Sequence, residues 1–286
     1  MRIAWIGLGL MGSRMVQHLT RFHEVHVYNR TISKSDALKG LVHVHTSISS
    51  CVKDAEIVVM MLSTPDVVKD VFTTQVLPHI NEQTIVIDMS TNLPSLTKEL
   101  YDLAKASQCH WIDAPVSGGL NGAQNATLSI MVGGDEVIVK DRMALLELMG
   151  SKVIYCGQSG HGQHTKMANQ ISVATNLAGL LESMEYAKHT QLNLNDVLTL
   201  LNQGAASSWQ SIHNGPLYLQ EDLNPGFIFT HFLKDLRCVM HEAKLRNIHL
   251  PVVEKITLMV ESIINDKNEN LSTLALIEYY NQHQPR

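Results

Sequence analysis

The stretch Ile-Gly-Leu-Gly-Leu-Met-Gly-Ser-Arg-Met at residues 6–15 decides the fold of the first half of this chain. It follows an apolar run at the N-terminus and opens a segment with helical spacing at residues 11–22. In this context Gly7 permits a tight turn, Gly9 lets the backbone approach a pyrophosphate, and Gly12 lets helix and strand pack closely. The helix N-terminus adds free N–H groups and a partial positive charge. The pattern predicts a dinucleotide-binding unit; an ordinary strand–turn–helix is the alternative.

Asn29, Arg30 and Thr31 follow the second predicted strand, where an acidic residue is expected in an NAD-binding site. A carboxylate there hydrogen-bonds the ribose of NAD, whereas a nearby arginine accommodates the 2′-phosphate of NADP. Asn29 does not repel that phosphate, Arg30 can pair with it, and Thr31 can add a hydroxyl donor. The sequence therefore predicts NADP (as NADPH) as the preferred cofactor, with NAD possible. The alternative is that Arg30 is only a solvated surface residue.

Apolar runs alternate with helical patterns through the first half of the chain. The runs are almost continuously hydrophobic, which is expected when both faces of a parallel sheet are covered. Strands are predicted over residues 3–8, 25–28, 57–62, 85–89, 110–115, 128–132 and 153–155, and helices over 11–22, a short piece after 33, 49–53, 66–72 and 94–107. The alternation favours a doubly wound α/β domain.

After Gly162 the pattern becomes helical. Residues 163–191 contain no proline and a single glycine, and their apolar residues recur at helical spacing, which predicts one long helix. Further helices are predicted over 194–202, 232–246 and 251–264, with a short one before the end. We therefore expect a Rossmann-type NADP-binding α/β domain over residues 1–162. An all-helical domain for substrate binding and oligomerisation, begun by the long helix, is expected over residues 163–286.

Composition and charge exclude several classes of protein. The 286 residues are 45% hydrophobic and carry a net charge of -5, without the basic cluster that nucleic-acid binding needs. No apolar run approaches the ~20 residues of a membrane span, and no signal-peptide pattern is present. We expect a cytoplasmic protein without nucleic-acid or membrane partners. The apolar helices exceed the need of one small core, which favours a homodimer or homotetramer.

No metal site is predicted. The four cysteines are widely spaced and form no Cys-x-x-Cys pair. The pairs His43/His45 and His161/His164 have no carboxylate or cysteine beside them at ligand spacing in the sequence.

Two further stretches carry chemistry. Asp-Ala-Pro-Val-Ser-Gly-Gly at residues 113–119 ends a strand in a hydroxyl and exposed N–H groups, which suits a carboxylate; a plain Gly-Gly turn is the alternative. Gly-His-Gly-Gln-His-Thr-Lys-Met-Ala-Asn at residues 160–169 places Lys166 near the start of the long helix, with Asn169 on the same face. A lysine there is usually solvated, but at a predicted domain junction it can serve as general acid–base.

The chain resembles the β-hydroxyacid dehydrogenase family in four stretches: residues 7–12, 113–119, 160–169 and Lys234-Asp235-Leu236. That family includes 3-hydroxyisobutyrate dehydrogenase and the tartronate, succinic and glyoxylic semialdehyde reductases. The four stretches occur in family order and span almost the whole chain. The resemblance implies an oxidoreductase that transfers hydride between NADPH and a small β-hydroxy acid or semialdehyde. It implies that Lys166 is catalytic, and the implied substrate-binding residues are Ser117, Gly118, Gly119 and Asn169.

The expected cofactor-binding residues form two sets. The glycine loop and the end of the second strand contribute Gly7, Gly9, Leu10, Met11, Gly12, Asn29, Arg30 and Thr31. By resemblance, the others are Leu62, Ser63, Val67, Thr91 and Lys234. One departure is Gln170, where many members of the family have a second asparagine; this Asn-Gln pair resembles the semialdehyde-reductase branch.

Three alternative functions stay open. Imine reductases share the architecture, but the resemblance implies that they usually lack the lysine. Decarboxylases of the 6-phosphogluconate type are longer and bind a sugar phosphate, for which this chain has no evident basic cluster. A non-catalytic NADP-binding module is the third alternative, and a turnover assay separates it from an enzyme.

Overall fold

The computed structural model describes residues 1–224, 226–265 and 267–283. The chain divides into two compact units, Met1–Lys166 and Met167–Arg286. Among the residues described, no helix has the length and apolar character needed to cross a membrane.

A nine-stranded sheet forms the centre of the first unit. Its strands are β1 (Arg2–Ile6), β2 (Glu24–Tyr28), β3 (His43–His45), β4 (Ile57–Met60), β5 (Ile85–Asp88), β6 (His110–Asp113), β7 (Val116–Ser117), β8 (Ser129–Gly133) and β9 (Lys152–Gly157). They lie in the order β3-β2-β1-β4-β5-β6-β8-β7, with β9 paired to β8. The first six strands pair in parallel, and β8 runs antiparallel to β6 and β7. The strand order reverses beside β1, at the switch point where such sheets bind ligands.

Both faces of the sheet are covered. Ile3 and Trp5 of β1 point into one apolar cluster, and Ala4 and Ile6 point into the other. The helices of this unit are α1 (Gly12–Met15), α2 (Ile48–Val52), α3 (Pro65–Asp70), α4 (Pro94–Ala106), α5 (Gly119–Gln124) and α6 (Glu136–Glu147). The predicted Rossmann-type α/β fold is confirmed.

Every regular element in the described residues of the second unit is helical. The long helix α7 (His161–His189) begins in the first unit and continues into the second. It is followed by α8 (Leu194–Gln203), α9 (Trp209–Leu219), α10 (Phe229–Leu245), α11 (Pro251–Ile263) and α12 (Ile277–His283). Side-chain oxygens cap two of these helices, because Asn193 accepts from the first backbone N–H groups of α8 and Ser208 does the same for α9.

Several elements differ from the sequence-based prediction. The helix predicted over residues 11–22 is wrong in length: α1 spans four residues and continues as a 3₁₀ turn at Val16–His18. The short strands β3 and β7 and the helices α5, α6 and α9 were not predicted. Helix α9 was hidden by Gly215 and Pro216, two helix-breaking residue types. Gly215 lies close to α8, since a Cβ would be 2.4 Å from the Leu198 Cδ1 and the leucine side chain would have to move.

Candidate active site

The three glycines of the loop after β1 differ in how closely other atoms surround them. Gly7 has a φ of +103°, and a Cβ on it would lie 2.2 Å from the Met61 carbonyl oxygen. A Cβ on Gly12 would lie 2.2 Å from the Gly7 carbonyl oxygen, whereas one on Gly9 would meet no atom within 4 Å. Packing therefore requires glycine at Gly7 and Gly12, whereas Gly9 borders open space.

Asn29 holds this loop to the end of β2. Its Oδ1 accepts a hydrogen bond from the Leu8 N–H at 2.8 Å, and its Nδ2 donates to the Thr31 carbonyl at 2.8 Å. An aspartate could accept the first bond but could not donate the second. The neighbouring Arg30 is exposed, and its side chain has no hydrogen bond or ion pair within the described part of the chain. Its guanidinium is available to an anionic ligand.

The other residues of the first unit that are expected at the cofactor lie after the ends of β1, β4 and β5. Leu10 is 46% exposed and Val67 is 37% exposed. Leu62 donates its N–H to the Ser90 Oγ at 2.9 Å, which ties the segment after β4 to the segment after β5. Met11 and Thr91 are half-buried and Ser63 is exposed. Since the carboxyl ends of parallel strands share one edge of the sheet, these residues border the same edge as the glycine loop and fit a bound dinucleotide.

Strands β5 and β6 each end in a fully buried aspartate. Asp88 accepts from the Ser90 N–H at 3.0 Å and from the Asn92 Nδ2 at 3.2 Å. Asp113 accepts from the Gly160 N–H at 2.8 Å and from the Gln163 N–H at 2.9 Å. Burial raises the pKa of each carboxyl to about 6, and the hydrogen bonds it accepts oppose that shift.

The predicted carboxylate-binding turn follows directly on β6. Ser117 ends β7, where it pairs with Ser129 of β8. Gly118 has a φ of +134° and Gly119 a φ of +61°, and helix α5 begins at Gly119. Both glycines are exposed and Ser117 is half-buried. The turn thus presents a hydroxyl beside backbone that only glycine adopts without strain.

Lys166 lies near the start of α7, three residues after Gln163. It is 6% exposed, an unusual environment for a lysine in a folded protein. Asp113 accepts from the N–H groups of Gly160 and Gln163, so the backbone that leads to Lys166 is tied to the end of β6.

Asn169 and Lys234 belong to the second unit, where two further side chains connect them. The Asn169 Nδ2 donates to the Gln170 Oε1 at 2.8 Å, and the Gln170 Nε2 donates to the Asp235 Oδ2 at 2.7 Å. The other oxygen of Asp235 lies 2.9 Å from the Lys234 Nζ. Gln170 and Asp235 were not predicted as site residues. The sequence feature that could have indicated both residues is Gln170 itself, which stands where many members of the family have asparagine. Its side chain is long enough to reach Asp235.

The sequence shows no carboxylate at ligand spacing beside His43 and His45, but the structure places one there. Strand β2 places Glu24 and His26 beside them, and ligand atoms of Glu24, His26 and His43 lie within 4.8 Å of one another. Both ring nitrogens of His26 are already bonded, at 2.8 Å to Glu24 and at 2.8 Å to the His45 Nε2. These bonds can be completed with the rings of His26 and His45 neutral, so His26 needs no ion to satisfy its two nitrogens. The absence of a metal site stays a prediction.

Family models match both halves of the chain. Residues 2–157 match the NAD binding domain of 6-phosphogluconate dehydrogenase. Residues 160–280 match the NAD-binding family of NADP-dependent 3-hydroxyisobutyrate dehydrogenase.

Relatives and a solved structure agree with these models. A probable 3-hydroxyisobutyrate dehydrogenase-like protein of Arabidopsis thaliana is 37% identical, over 96% of this chain and 84% of its own length. The 2-hydroxy-3-oxopropionate reductase of Escherichia coli is 35% identical, over 88% of this chain and 87% of its own. A structure of the Mycobacterium tuberculosis 3-hydroxyisobutyrate dehydrogenase with L-serine has a TM-score of 0.90 at 29% identity, covering 98% of both chains. The chain belongs to the β-hydroxyacid dehydrogenase family, and it is a nicotinamide-dependent oxidoreductase acting on CH–OH groups.

Proposed function

We propose that the protein is an NADPH-dependent reductase of small carboxylate-bearing aldehydes, which it interconverts with the corresponding hydroxy acids, such as β-hydroxy acids. The observation that carries the proposal is the burial of Lys166, 6% exposed, at the family's lysine position on α7. A lysine is seldom buried for stability alone, because desolvating an ammonium group is costly. A buried lysine at an active site supplies a proton and a positive charge where water cannot compete.

The preference for NADPH is supported by the end of β2. The amide of Asn29 accepts from the Leu8 N–H and donates to the Thr31 carbonyl. Because an amide is uncharged, Asn29 does not repel a 2′-phosphate. Arg30 beside it is exposed and positively charged, and a guanidinium can bind a phosphate through two parallel hydrogen bonds. NADH lacks this phosphate and gains nothing from Arg30.

The proposed reaction divides its work between cofactor and protein. When bound, NADPH supplies a hydride to the aldehyde carbon. Lys166, as an ammonium group, donates a proton from its Nζ to the developing alkoxide oxygen and stabilises the negative charge there. In the oxidative direction the neutral Nζ takes the hydroxyl proton. Ser117 and the N–H groups of Gly118 and Gly119 anchor the substrate carboxylate.

The relatives support this choice of substrate class. The E. coli relative is named for the reduction of 2-hydroxy-3-oxopropionate, a carboxylate-bearing aldehyde. The M. tuberculosis structure includes L-serine, which carries a carboxylate and a β-hydroxyl group. Both molecules offer the two groups that the serine–glycine turn and Lys166 would recognise. Asn169 would orient such a substrate, and Lys234 would lie near the nicotinamide.

The test is a set of initial rates with glyoxylate, succinic semialdehyde, tartronate semialdehyde and methylmalonate semialdehyde, each with NADPH and with NADH. We expect turnover of at least one aldehyde acid, with a clear preference for NADPH. Turnover with NADH alone would contradict the assignment of Arg30. A cyclic imine completes the set, because reduction of the imine alone would identify an imine reductase. No turnover while NADPH still binds would favour a non-catalytic module.

A further inference from the structure

The carboxylate of Asp113 occupies a slot that two glycines leave open. A Cβ on Gly133 would lie 2.6 Å from the Asp113 Oδ1, and a Cβ on Gly162 would lie 2.8 Å from its Oδ2 and 2.4 Å from the Met131 carbonyl oxygen. Gly160, whose N–H donates to the carboxylate, has a φ of +88°. The Gly-x-Gly that opens α7 is therefore shaped around an internal anion.

Gln163 ties the same helix start to the segment after β5. Its Oε1 accepts from the Asn92 N–H at 2.9 Å, and its Nε2 donates to the Ser90 carbonyl at 2.8 Å. Asn92, Asp113 and Gln163 are each 0% exposed. The hydroxyl of Ser90 in turn accepts from the Leu62 N–H. Side chains thus fasten the first turn of α7 to residues that follow β4 and β5 and to the end of β6.

We propose that Asp113 and Gln163 are positioning residues for Lys166: they fix the first turn of α7 so that the lysine Nζ is held in place for proton transfer. The inference rests on the proposed function. Lys166 is three residues from Gln163, about one helical turn, so a shift of the helix start moves the lysine directly. A misplacement of about 1 Å at a reacting group can lower a rate about 10²-fold.

A role in stability alone explains this arrangement poorly. Burying a carboxylate carries a desolvation cost, and apolar replacements of buried charged groups are often neutral or stabilising. What the carboxylate gives instead is geometry, since its two oxygens accept from two N–H groups at fixed positions in the first turn. The same turn would be free to fray if only solvent satisfied those N–H groups.

The experiment compares Asp113→Asn and Gln163→Met with Asp135→Asn. Asparagine keeps one accepting oxygen and loses the other, and methionine keeps the length of Gln163 without its hydrogen bonds. Asp135 is the matched control, because it precedes α6 in the same unit, is exposed, and accepts a hydrogen bond from the Tyr101 hydroxyl at 2.9 Å that asparagine can also accept. The readouts are kcat, the KM for NADPH, hydrogen exchange of residues 158–170, and the acylation rate of Lys166 followed by mass spectrometry.

We expect both variants to lower kcat about 10²-fold while the KM for NADPH stays within about twofold. Exchange of the helix start should rise about 10- to 100-fold, which corresponds to the loss of a buried hydrogen bond. Acylation of Lys166 should be faster, because a loosened first turn exposes the amine. Asp135→Asn should match the wild type in all four readouts.

Three outcomes would overturn the inference. Faster exchange with an unchanged kcat would show that the bonds stabilise the helix without positioning the lysine. A raised KM for NADPH with an unchanged kcat would assign Asp113 to cofactor binding. If Asp113→Asn does not fold, Gln163→Met alone decides. If the wild type reduces no aldehyde acid, the proposed function fails, and Lys166 acylation still judges the positioning: equal rates in Asp113→Asn and Asp135→Asn would refute it.

Discussion

Two Gly-x-Gly stretches lead into helices of this protein, residues 7–9 before α1 and residues 160–162 at the start of α7, and they use their backbone N–H groups in opposite ways. In the loop at Gly7 and Gly9, the N–H groups of Gly9 and Leu10 make no hydrogen bond within the described residues. At Gly160 and Gly162, the buried carboxylate of Asp113 accepts from the start of α7. The first start is open to an anion from outside, and the second already holds one from inside.

The difference lies in the atoms that surround the glycines. A Cβ at Gly9 would meet nothing within 4 Å, whereas one at Gly162 would strike both the Met131 carbonyl and the Asp113 carboxylate. A helix start whose N–H groups have no partner in the described residues can bind and release an anion, whereas one bonded to an internal carboxylate is held in place by it. One start accordingly suits a cofactor that enters and leaves, and the other suits the fixed lysine of the same enzyme.

The largest expected effect is on the lysine that the internal anion positions. Lys166→Ala should lower kcat about 10²- to 10⁴-fold, because it removes the proton donor and its charge. Cofactor affinity should change little, which a fluorescence titration with NADPH measures. Lys188→Ala is the control on the same helix, since Lys188 has a 57% exposed side chain and pairs with Glu185 at 3.9 Å. Near-normal turnover of Lys166→Ala would remove this residue from the mechanism.

The buried carboxylate of Asp113 should also make the free energy of unfolding depend on pH. Burial raises the pKa of Asp113 from 3.8 to about 6, so the folded chain keeps this proton after the unfolded chain has lost it. The group therefore favours the folded state below pH 3.8, and that contribution is lost as the pH rises through 6.

Denaturant unfolding of the wild type and Asp113→Asn between pH 4 and pH 7 measures this linkage. The advantage of the wild type over the variant should shrink by about 2–3 kcal/mol across that range, because each pKa unit corresponds to about 1.4 kcal/mol. Asp88, buried with a similarly raised pKa, is present in both proteins, so its titration cancels in the difference apart from the contribution that the charge of Asp113 makes to its pKa, which is smaller than that of burial. A constant or growing advantage would mean that the carboxylate is ionised throughout, and that its N–H partners outweigh burial.

After β2, beside the glycine loop, Arg30→Ala should weaken the binding of NADPH but not that of NADH. Loss of a charge-assisted contact costs about 1.5–3 kcal/mol, which weakens NADPH binding about 10- to 100-fold. NADH binding should be unchanged, because NADH has no 2′-phosphate. Arg21→Ala, which removes another exposed arginine of the same unit, is the control for net charge. Equal losses for both cofactors would count against a phosphate contact.

The features that the sequence could predict are local along the chain. The roles of Gly7 and Gly12 follow from a strand, a turn and a helix within a few residues of each other, and the structure agrees with them. The partner of Asp113 lies 47 residues away at Gly160, so no spacing rule connects the two. Likewise, Glu24 and His26 reach His43 and His45 only because β2 pairs with β3. The burial of Lys166, which supports its proposed catalytic role, depends on the folded chain and could not be predicted from the sequence pattern around it.

The smallest effects should come from alanine at two glycines of the same helix α7. At Gly162 a Cβ would lie 2.4 Å from a carbonyl oxygen, and relieving that clash should cost about 1–3 kcal/mol of unfolding free energy. At Gly179 nothing lies within 4 Å, so alanine should stabilise the helix by about 0.5–1 kcal/mol. Denaturant unfolding gives both values. Opposite signs in one helix would show that glycine is retained at the start of α7 for the fit around Asp113. Stabilisation by both variants would mean that the slot yields without cost, and the contrast between the two helix starts would then rest on Asp113 alone.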